Sequence, residues 1–274
     1  MITFLTWLPD VLRGAGLRVA EQPGWDSRTL TDGDFGPVRG IICHHTGGAR
    51  GQNMPNLDQL THGRKADPKT GTTALTGPLA QLGLGRDGVF YVVAAGRCNH
   101  AGKGAWKDIK SGNTSFIGIE AENSGKPDDP WPEAQMNAYR HGVAAILRKI
   151  GADESMCIGH KEWAPGRKPD PSFDMVAFRA EVTAVLAGAP AAKPLQVVPA
   201  ADAKGRPTLE RGAIGPLVVQ AQTLLGVKPA DGVFGGQTEA AVRAFQRTQG
   251  DGKLGAADGI IGPRTWGLLD PKGK

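Results

Sequence analysis

One late stretch of this chain constrains its fold more than any other feature. From residue 187 to 207 it reads AGAPAAKPLQVVPAADAKGRP, with Pro and Ala recurring at neither helical nor strand spacing. A stretch of that kind is a semi-rigid spacer and cannot belong to a packed core. The chain is therefore expected to fold as two unequal units, residues 1–190 and 207–274, joined by a Pro/Ala linker at 191–206. With 274 residues, 40% of them hydrophobic, the larger unit is long enough to bury a core of its own.

Within that unit, VRGIIC (38–43), VFYVV (89–93) and FIGIEA (116–121) are short, apolar and rich in branched residues, the pattern of buried strands. Residues 132–150 place Met136, Tyr139, Val143, Ile146 and Ile150 on one helical stripe, closed by Gly151, and 173–186 also looks helical. Strands separated by helices give the fold class: α/β, a mixed central sheet flanked by helices. In the tail, Asp231-Gly-Val-Phe-Gly-Gly-Gln-Thr238 returns as Asp258-Gly-Ile-Ile-Gly-Pro-Arg-Thr265, 27 residues later. Each copy is a turn opening a helix, the first with Ala241, Val242 and Phe245 on one face. An earlier helix over 216–225 carries Val218, Ala221 and Leu225. The tail is therefore expected to be a small three-helix domain.

Charge and composition narrow the function. Residues 1–190 hold 21 Lys/Arg against 20 Asp/Glu, whereas 205–274 hold nine against six. A basic tail without aromatic platforms or an arginine run suits an anionic polymer such as a cell wall as well as nucleic acid. No run of 18 apolar residues is present, and Pro9 and Asp10 interrupt the stretch a signal peptide would need, so neither a membrane span nor a secretion signal is expected. Cys43, Cys98 and Cys157 lack the paired spacing of a disulfide scaffold or a four-cysteine metal site; Cys43 abuts His44 and Cys157 stands three residues before His160, which suits buried strand positions better than a Cys/His site. All six histidines precede residue 161, which assigns any metal chemistry to the larger unit.

His44-His45-Thr46 follows the first strand directly, where α/β folds place ligands. Further candidates stand in Cys157-Ile-Gly-His160 and Lys168-Pro-Asp170. Two imidazoles and a carboxylate suit zinc and leave a fourth position for water. By spacing alone, the same residues also suit solvated surface positions and satisfied core histidines. If the strand continues, His45 points to the face opposite His44. Trp106, Trp131 and Trp163 either line a groove or simply pack.

The segments ICHHTGG (42–48), GRDGVFYVVAAGRCNHAGKG (85–104), SFIGIEAENSG (115–125) and CIGHKEWAPGRKPDPSFD (157–174) resemble, in order, the zinc-dependent N-acetylmuramoyl-L-alanine amidases of the phage lysozyme and peptidoglycan-recognition type. The resemblance covers about residues 36–186 and leaves 1–35 outside it. It implies that His44, His160 and Asp170 hold one zinc ion, that Glu120 is the acid/base and that Lys168 stabilises the oxyanion. It also implies substrate contacts from His100 and Asn99. Some relatives place a tyrosine before the Arg-Asp-Gly turn; here Ala80 stands there, which increases dependence on Glu120. Glu122, at period two from Glu120, remains an alternative base. The tail resembles a peptidoglycan-binding domain through its repeated motif and Ala244-Phe245-Gln246. Together these imply a monomeric, endolysin-like hydrolase of the bond between N-acetylmuramic acid and L-alanine. Its partner is peptidoglycan, with neither nucleic acid nor a stable membrane association, and its place is the host bacterial cytoplasm before lysis and the cell wall afterwards. The rival classes are a non-catalytic peptidoglycan-recognition protein and a wall glycosidase using Glu120 and Glu122, although two residues on one strand are poorly placed to flank a scissile bond.

Overall fold

The computed structural model describes residues 4–30, 35–50, 53–68, 71, 73–188, 202, 204–249 and 257–271. The chain divides into Met1–Pro194 and Leu195–Lys274. No helix among the described residues is long and apolar enough to cross a membrane.

In chain order the first unit contains α1 (Leu8–Gly14), β1 (Val19–Glu21), β2 (Gly40–His45), α2 (Leu57–His62), β3 (Gly63–Arg64), β4 (Leu75–Thr76), β5 (Leu82–Leu84) and β6 (Phe90–Val92). It continues with α3 (Gly112–Ser115), β7 (Phe116–Ala121), α4 (Glu133–Ile150), β8 (Cys157–Gly159), α5 (His160–Trp163) and α6 (Met175–Leu186). Six strands form one sheet in the order β1-β6-β5-β7-β2-β8, and β3 and β4 form a separate hairpin. The sheet is mixed, as expected: β5 and β6 are antiparallel, and the other neighbours are parallel. Its longest strands are the paired β2 and β7, six residues each, whose branched apolar residues are buried, as parallel strands covered on both faces require. Their register sets His44 opposite Glu120.

The strand expected over 38–43 lies two residues later, so His44 and His45 belong to it. Strands β1, β5 and β8 have three residues each, too few for alternation to be legible in sequence. Helix α4 falls where expected and buries Met136, Tyr139, Val143 and Ile146. The Tyr139 hydroxyl donates to the Ile119 carbonyl at 3.1 Å. The helix ends at Gly151 in the left-handed region, φ 68°, where glycine carries no Cβ penalty.

Residues 4–30 and Phe35 belong to the same core. Leu5, Leu8, Leu12 and Phe35 are buried in it, and β1 adds an edge strand beside β6. Backbone bonds from Leu5, Gln22 and Leu30 reach the carbonyls of Ala95, Val92 and Arg97, and Gly96 N–H donates to Arg28. The segment thus holds the strand that leads to Asn99 and His100.

The Arg86-Asp87-Gly88 turn between β5 and β6 is anchored by a bidentate pair. Arg86 donates twice to Asp129, both bonds 2.8 Å long, and Asp129 is 4% exposed. Asp129 also accepts from the Ser124 N–H, so one carboxylate joins the turn to the loop after β7. The Arg86 guanidinium holds the Asp129 carboxyl well below its ordinary value, against the opposing effect of burial.

The second unit contains α7 (Pro216–Leu225), α8 (Gly236–Thr248) and α9 (Pro263–Leu269), the three helices expected. The repeated loops fold around two buried glutamines. Gln222 Nε2 donates to Asp231, the Val233 carbonyl and Thr238, while its Oε1 accepts from Gly232 N–H. Gln246 makes the same four contacts with Asp258, Ile260, Thr265 and Gly259. The sequence motif therefore encodes a loop closed on a side chain from the preceding helix. The buried face of α8 differs from the apolar one expected: it carries Glu239, Val242, Arg243 and Gln246, while Ala241 and Phe245 are only half-buried. Arg243 and Arg211 neutralise Glu239 there, at 2.7 and 3.2 Å. Arg206, at the end of the expected linker, pairs with Asp202 and Asp270 and lies over Trp266. It packs as part of the tail.

Removing one member of a buried pair leaves an uncompensated charge, so Arg86→Ala is expected to lower unfolding stability by about 3–5 kcal/mol at neutral pH. The depressed native Asp129 contributes stability above its unfolded value and loses it as pH falls through the native value, because the unfolded chain then binds the extra proton. Denaturant titrations across pH should show the gap between parent and variant narrowing below about pH 4.

Candidate metal centre

The sheet brings three chain segments to one point. Strand β2 delivers His44, the end of neighbouring β8 delivers His160 as the first residue of α5, and the loop after α5 returns Asp170, whose carbonyl accepts from Lys161 N–H. His44 Nδ1 lies 2.9 Å from His160 Nδ1 and 3.1 Å from Asp170 Oδ2, and His160 Nδ1 lies 3.0 Å from that same oxygen. The residues are 0%, 3% and 7% exposed. Among the described residues this is the one group of such side chains placed to hold a metal ion.

The surrounding backbone decides which atoms face the centre. His160 Nε2 lies 2.9 Å from the Ala101 carbonyl, which can only accept, so Nε2 carries the proton and Nδ1 the lone pair. His100 Nε2 lies 3.1 Å from the Phe116 carbonyl, leaving its Nδ1 to accept from His44 Nε2 at 3.1 Å. His44 Nδ1 is thereby also a lone-pair donor. Two imine nitrogens and a carboxylate oxygen held about 3 Å apart repel one another unless a cation lies between them. Tetrahedral zinc, with ligands at about 2.0–2.1 Å, spaces its donors by roughly 3.3 Å. The donor set and its hydrogen-bonded backing therefore fit a divalent metal ion. Burial and the neighbouring His160 hold His44 down to about 4 despite Asp170, so it is neutral and ready to ligate at neutral pH.

Glu120 points into the same cavity, with Oε1 3.9 Å from His44 Nδ1. Burial and the Asp170 charge push its carboxyl up to about 8, opposed by Lys168, and a cation at the centre would oppose them further. Lys168 also lines this cavity of about 220 Å³, and its ammonium makes no hydrogen bond to another described residue.

His100 and Asn99 both line the cavity. Both ring nitrogens of His100 are engaged within the protein, where the ring orients His44, and Asn99 Oδ1 accepts from Asn113 at 3.2 Å. His45 lies at the cavity edge with its ring against Gly125. Glu122 stands beyond the end of β7, buried beneath the loop at Thr46 to Gly48, and is not part of the cavity lining. Cys43 and Cys157 are buried on β2 and β8, and neither supplies an atom to the centre. Trp163 is fully buried, while Trp106 and Trp131 pack at the core margin. None of the three lines the cavity.

The sequence offered no signal for the wall contributed by residues 56–79, where Asn56, Gln59, Leu60, Arg64, Leu75 and Leu79 face the cavity. Nor did it reveal the part played by Gly118. A Cβ there would come within 2.6 Å of His100 Cγ, so the missing side chain is what lets the ring lie against β7. Gly118→Ala is expected to displace His100, release His44 from its tautomer and weaken metal affinity by roughly 10- to 100-fold with the fold intact. Competition against a chromogenic chelator, beside circular dichroism, measures both.

Residues 34–173 match the family model described as N-acetylmuramoyl-L-alanine amidase. Residues 215–269 match a peptidoglycan binding domain. No curated protein matches the chain. Among solved structures, a selenomethionine derivative of AmpD is 25% identical, covering 60% of this chain and 93% of that one with a TM-score of 0.44. The endolysin and N-acetylmuramoyl-L-alanine amidase LysCS from Clostridium intestinale URNW is 16% identical, covering 61% and 95% with a TM-score of 0.43. AmiD from E. coli, in complex with anhydro-N-acetylmuramic acid-L-Ala-D-gamma-Glu-L-Lys, is 17% identical, covering 92% and 95% with a TM-score of 0.43.

Proposed function

The chain belongs to the N-acetylmuramoyl-L-alanine amidase family and carries a peptidoglycan-binding domain, and from that premise we propose a zinc-dependent wall hydrolase whose ligands are His44, His160 and Asp170. The observation that carries the zinc assignment is the pair of backbone carbonyls, Ala101 and Phe116, that leave both metal-facing imidazole nitrogens unprotonated. The bond cut joins the lactyl group of N-acetylmuramic acid to L-alanine. A zinc ion bound there supplies Lewis acidity toward the amide carbonyl and lowers the pKa of water toward about 7. Glu120 takes the proton of the attacking water and returns it to the leaving amine. Lys168 donates to the oxygen that gains negative charge as the amide carbon becomes tetrahedral; loss of one such donor costs about 10²–10³ in rate. The glycosidase reading loses support, since Glu122 does not share the cavity with Glu120.

Supported by the order of catalytic and wall-binding units, the fuller reading is an endolysin. In that reading the monomer accumulates in the host bacterial cytoplasm during phage infection and lyses the wall once the membrane is breached.

Product analysis tests the bond: digestion of peptidoglycan should create amino-terminal alanine and no new reducing ends. Chelation should abolish this and zinc restore it, and full activity in metal-free protein would exclude the zinc centre. Asp170→Ala should lose metal, whereas Glu120→Gln should keep metal and lose turnover.

The wall-binding unit raises the local concentration of substrate for the catalytic unit. Deleting residues 195–274 should leave hydrolysis of soluble muropeptides nearly unchanged while lysis of intact walls falls. Retention of the isolated tail on wall fragments should weaken as salt rises.

A further inference from the structure

The two carbonyls that set the metal-facing nitrogens belong to segments that meet at one side chain. Asn113 stands on α3, the single turn that leads directly into β7 and Phe116. Ala101 lies 12 residues earlier, and its loop returns against that turn. Gly112 permits the approach: a Cβ there would come within 2.4 Å of the Ala101 Cβ and 2.9 Å of the Trp163 ring.

Across this contact Asn113 Oδ1 lies 3.0 Å from the His100 backbone nitrogen and 2.7 Å from that of Ala101. A backbone N–H can only donate, so the atom facing both is the amide oxygen. The amide nitrogen then faces Asn99 at 3.2 Å, and the atom it meets there must be an oxygen too. Asn99 Nδ2 is thereby turned toward the Thr76 carbonyl, 3.4 Å away on β4. The second N–H of that amide meets no acceptor among the described residues, and Asn99 lines the cavity.

One side chain thus reaches both imidazoles by short routes. It holds His100, whose ring spans from the Phe116 carbonyl to His44 Nε2. It also holds Ala101, whose carbonyl accepts from His160 Nε2 and from Arg167. His100 and Ala101 are buried, and neither N–H has a backbone acceptor among the described residues. Without Asn113 the loop would lose both attachments and leave two buried donors unpaired.

Resting on the zinc amidase reading above, we infer that Asn113 is a positioning residue that holds both metal-facing imidazoles in their ligating tautomers and aims the Asn99 amide N–H at substrate. It does not line the cavity itself, so its action passes through His100, Ala101 and Asn99. Its two ends are separable. The oxygen serves the metal's backing and the nitrogen serves the cavity wall.

The test compares the full-length parent with Asn113→Asp, Asn113→Ala and Asn99→Ala. Zinc affinity is read by competition with a chromogenic chelator, and tautomers by the imidazole nitrogen chemical shifts of the metal-free chain. Asn113→Asp keeps an oxygen for both N–H groups and should hold zinc as tightly as the parent. It cannot donate to Asn99, whose amide then turns over. KM for N-acetylmuramoyl-L-Ala-γ-D-Glu-L-Lys should therefore rise about fivefold at unchanged kcat. Added to Asn99→Ala, the same substitution should raise KM no further. Asn113→Ala should weaken zinc binding by roughly 10- to 100-fold and show Nδ1 protonation at His44 or His160.

A folded Asn113→Ala chain that binds zinc like the parent overturns the inference. So does an Asn113→Asp chain that loses zinc affinity or keeps the parent KM, and these two readings decide alone if Asn113→Ala does not fold. A parent that binds no zinc overturns the zinc reading instead. A parent that binds zinc but creates no amino-terminal alanine overturns the amidase reading and, with it, the role given to Asn99.

Discussion

Two backbone carbonyls, of Ala101 and Phe116, govern the chemistry of this protein. Neither can donate a hydrogen bond, so each requires a protonated nitrogen opposite it, and the consequence passes through His160 directly and through His100 to His44. The result is a pair of lone-pair nitrogens beside a carboxylate oxygen, held before any cation arrives. A site built this way would hold a cation without first reorienting its ligands.

The rest of the catalytic unit serves that arrangement. Parallel pairing of β2 with β7 sets His44 opposite Glu120 on one face, which makes the distance between them a property of sheet register rather than of loop conformation. A slip of one residue would turn Glu120 to the other face. Strand β8 beside β2 launches His160 into the same space. Residues 4–30 hold the segment leading to Asn99 and His100 through backbone bonds at Ala95, Gly96 and Arg97. The segment outside the matched family region thereby supports the residue that orients His44.

The tail follows another logic. Its core is small, and polar side chains with full partnering complete it. Gln222 and Gln246 each satisfy one repeated loop, and a buried Glu239 is neutralised by Arg243 and Arg211. Such groups stabilise only when every partner is present. A motif that keeps Asp, Gly and Thr at set spacing is therefore as much about folding as about any ligand.

Read alone, the sequence established the division into units, the two long strands, helix α4 and the three tail helices, because each rests on periodicity, a cap or a composition break within a few residues. It also supplied His44, His160, Asp170, Glu120 and Lys168 as candidates, since each sits in a compact motif. It could not supply the three-residue strands, which lack a readable period. The tautomers were equally hidden, because they depend on carbonyls 16 and 59 residues away from the rings they bind. Gly118 left no local mark for the same reason. The value of a missing Cβ is set by what the fold places against it, and only the tertiary structure made that decision.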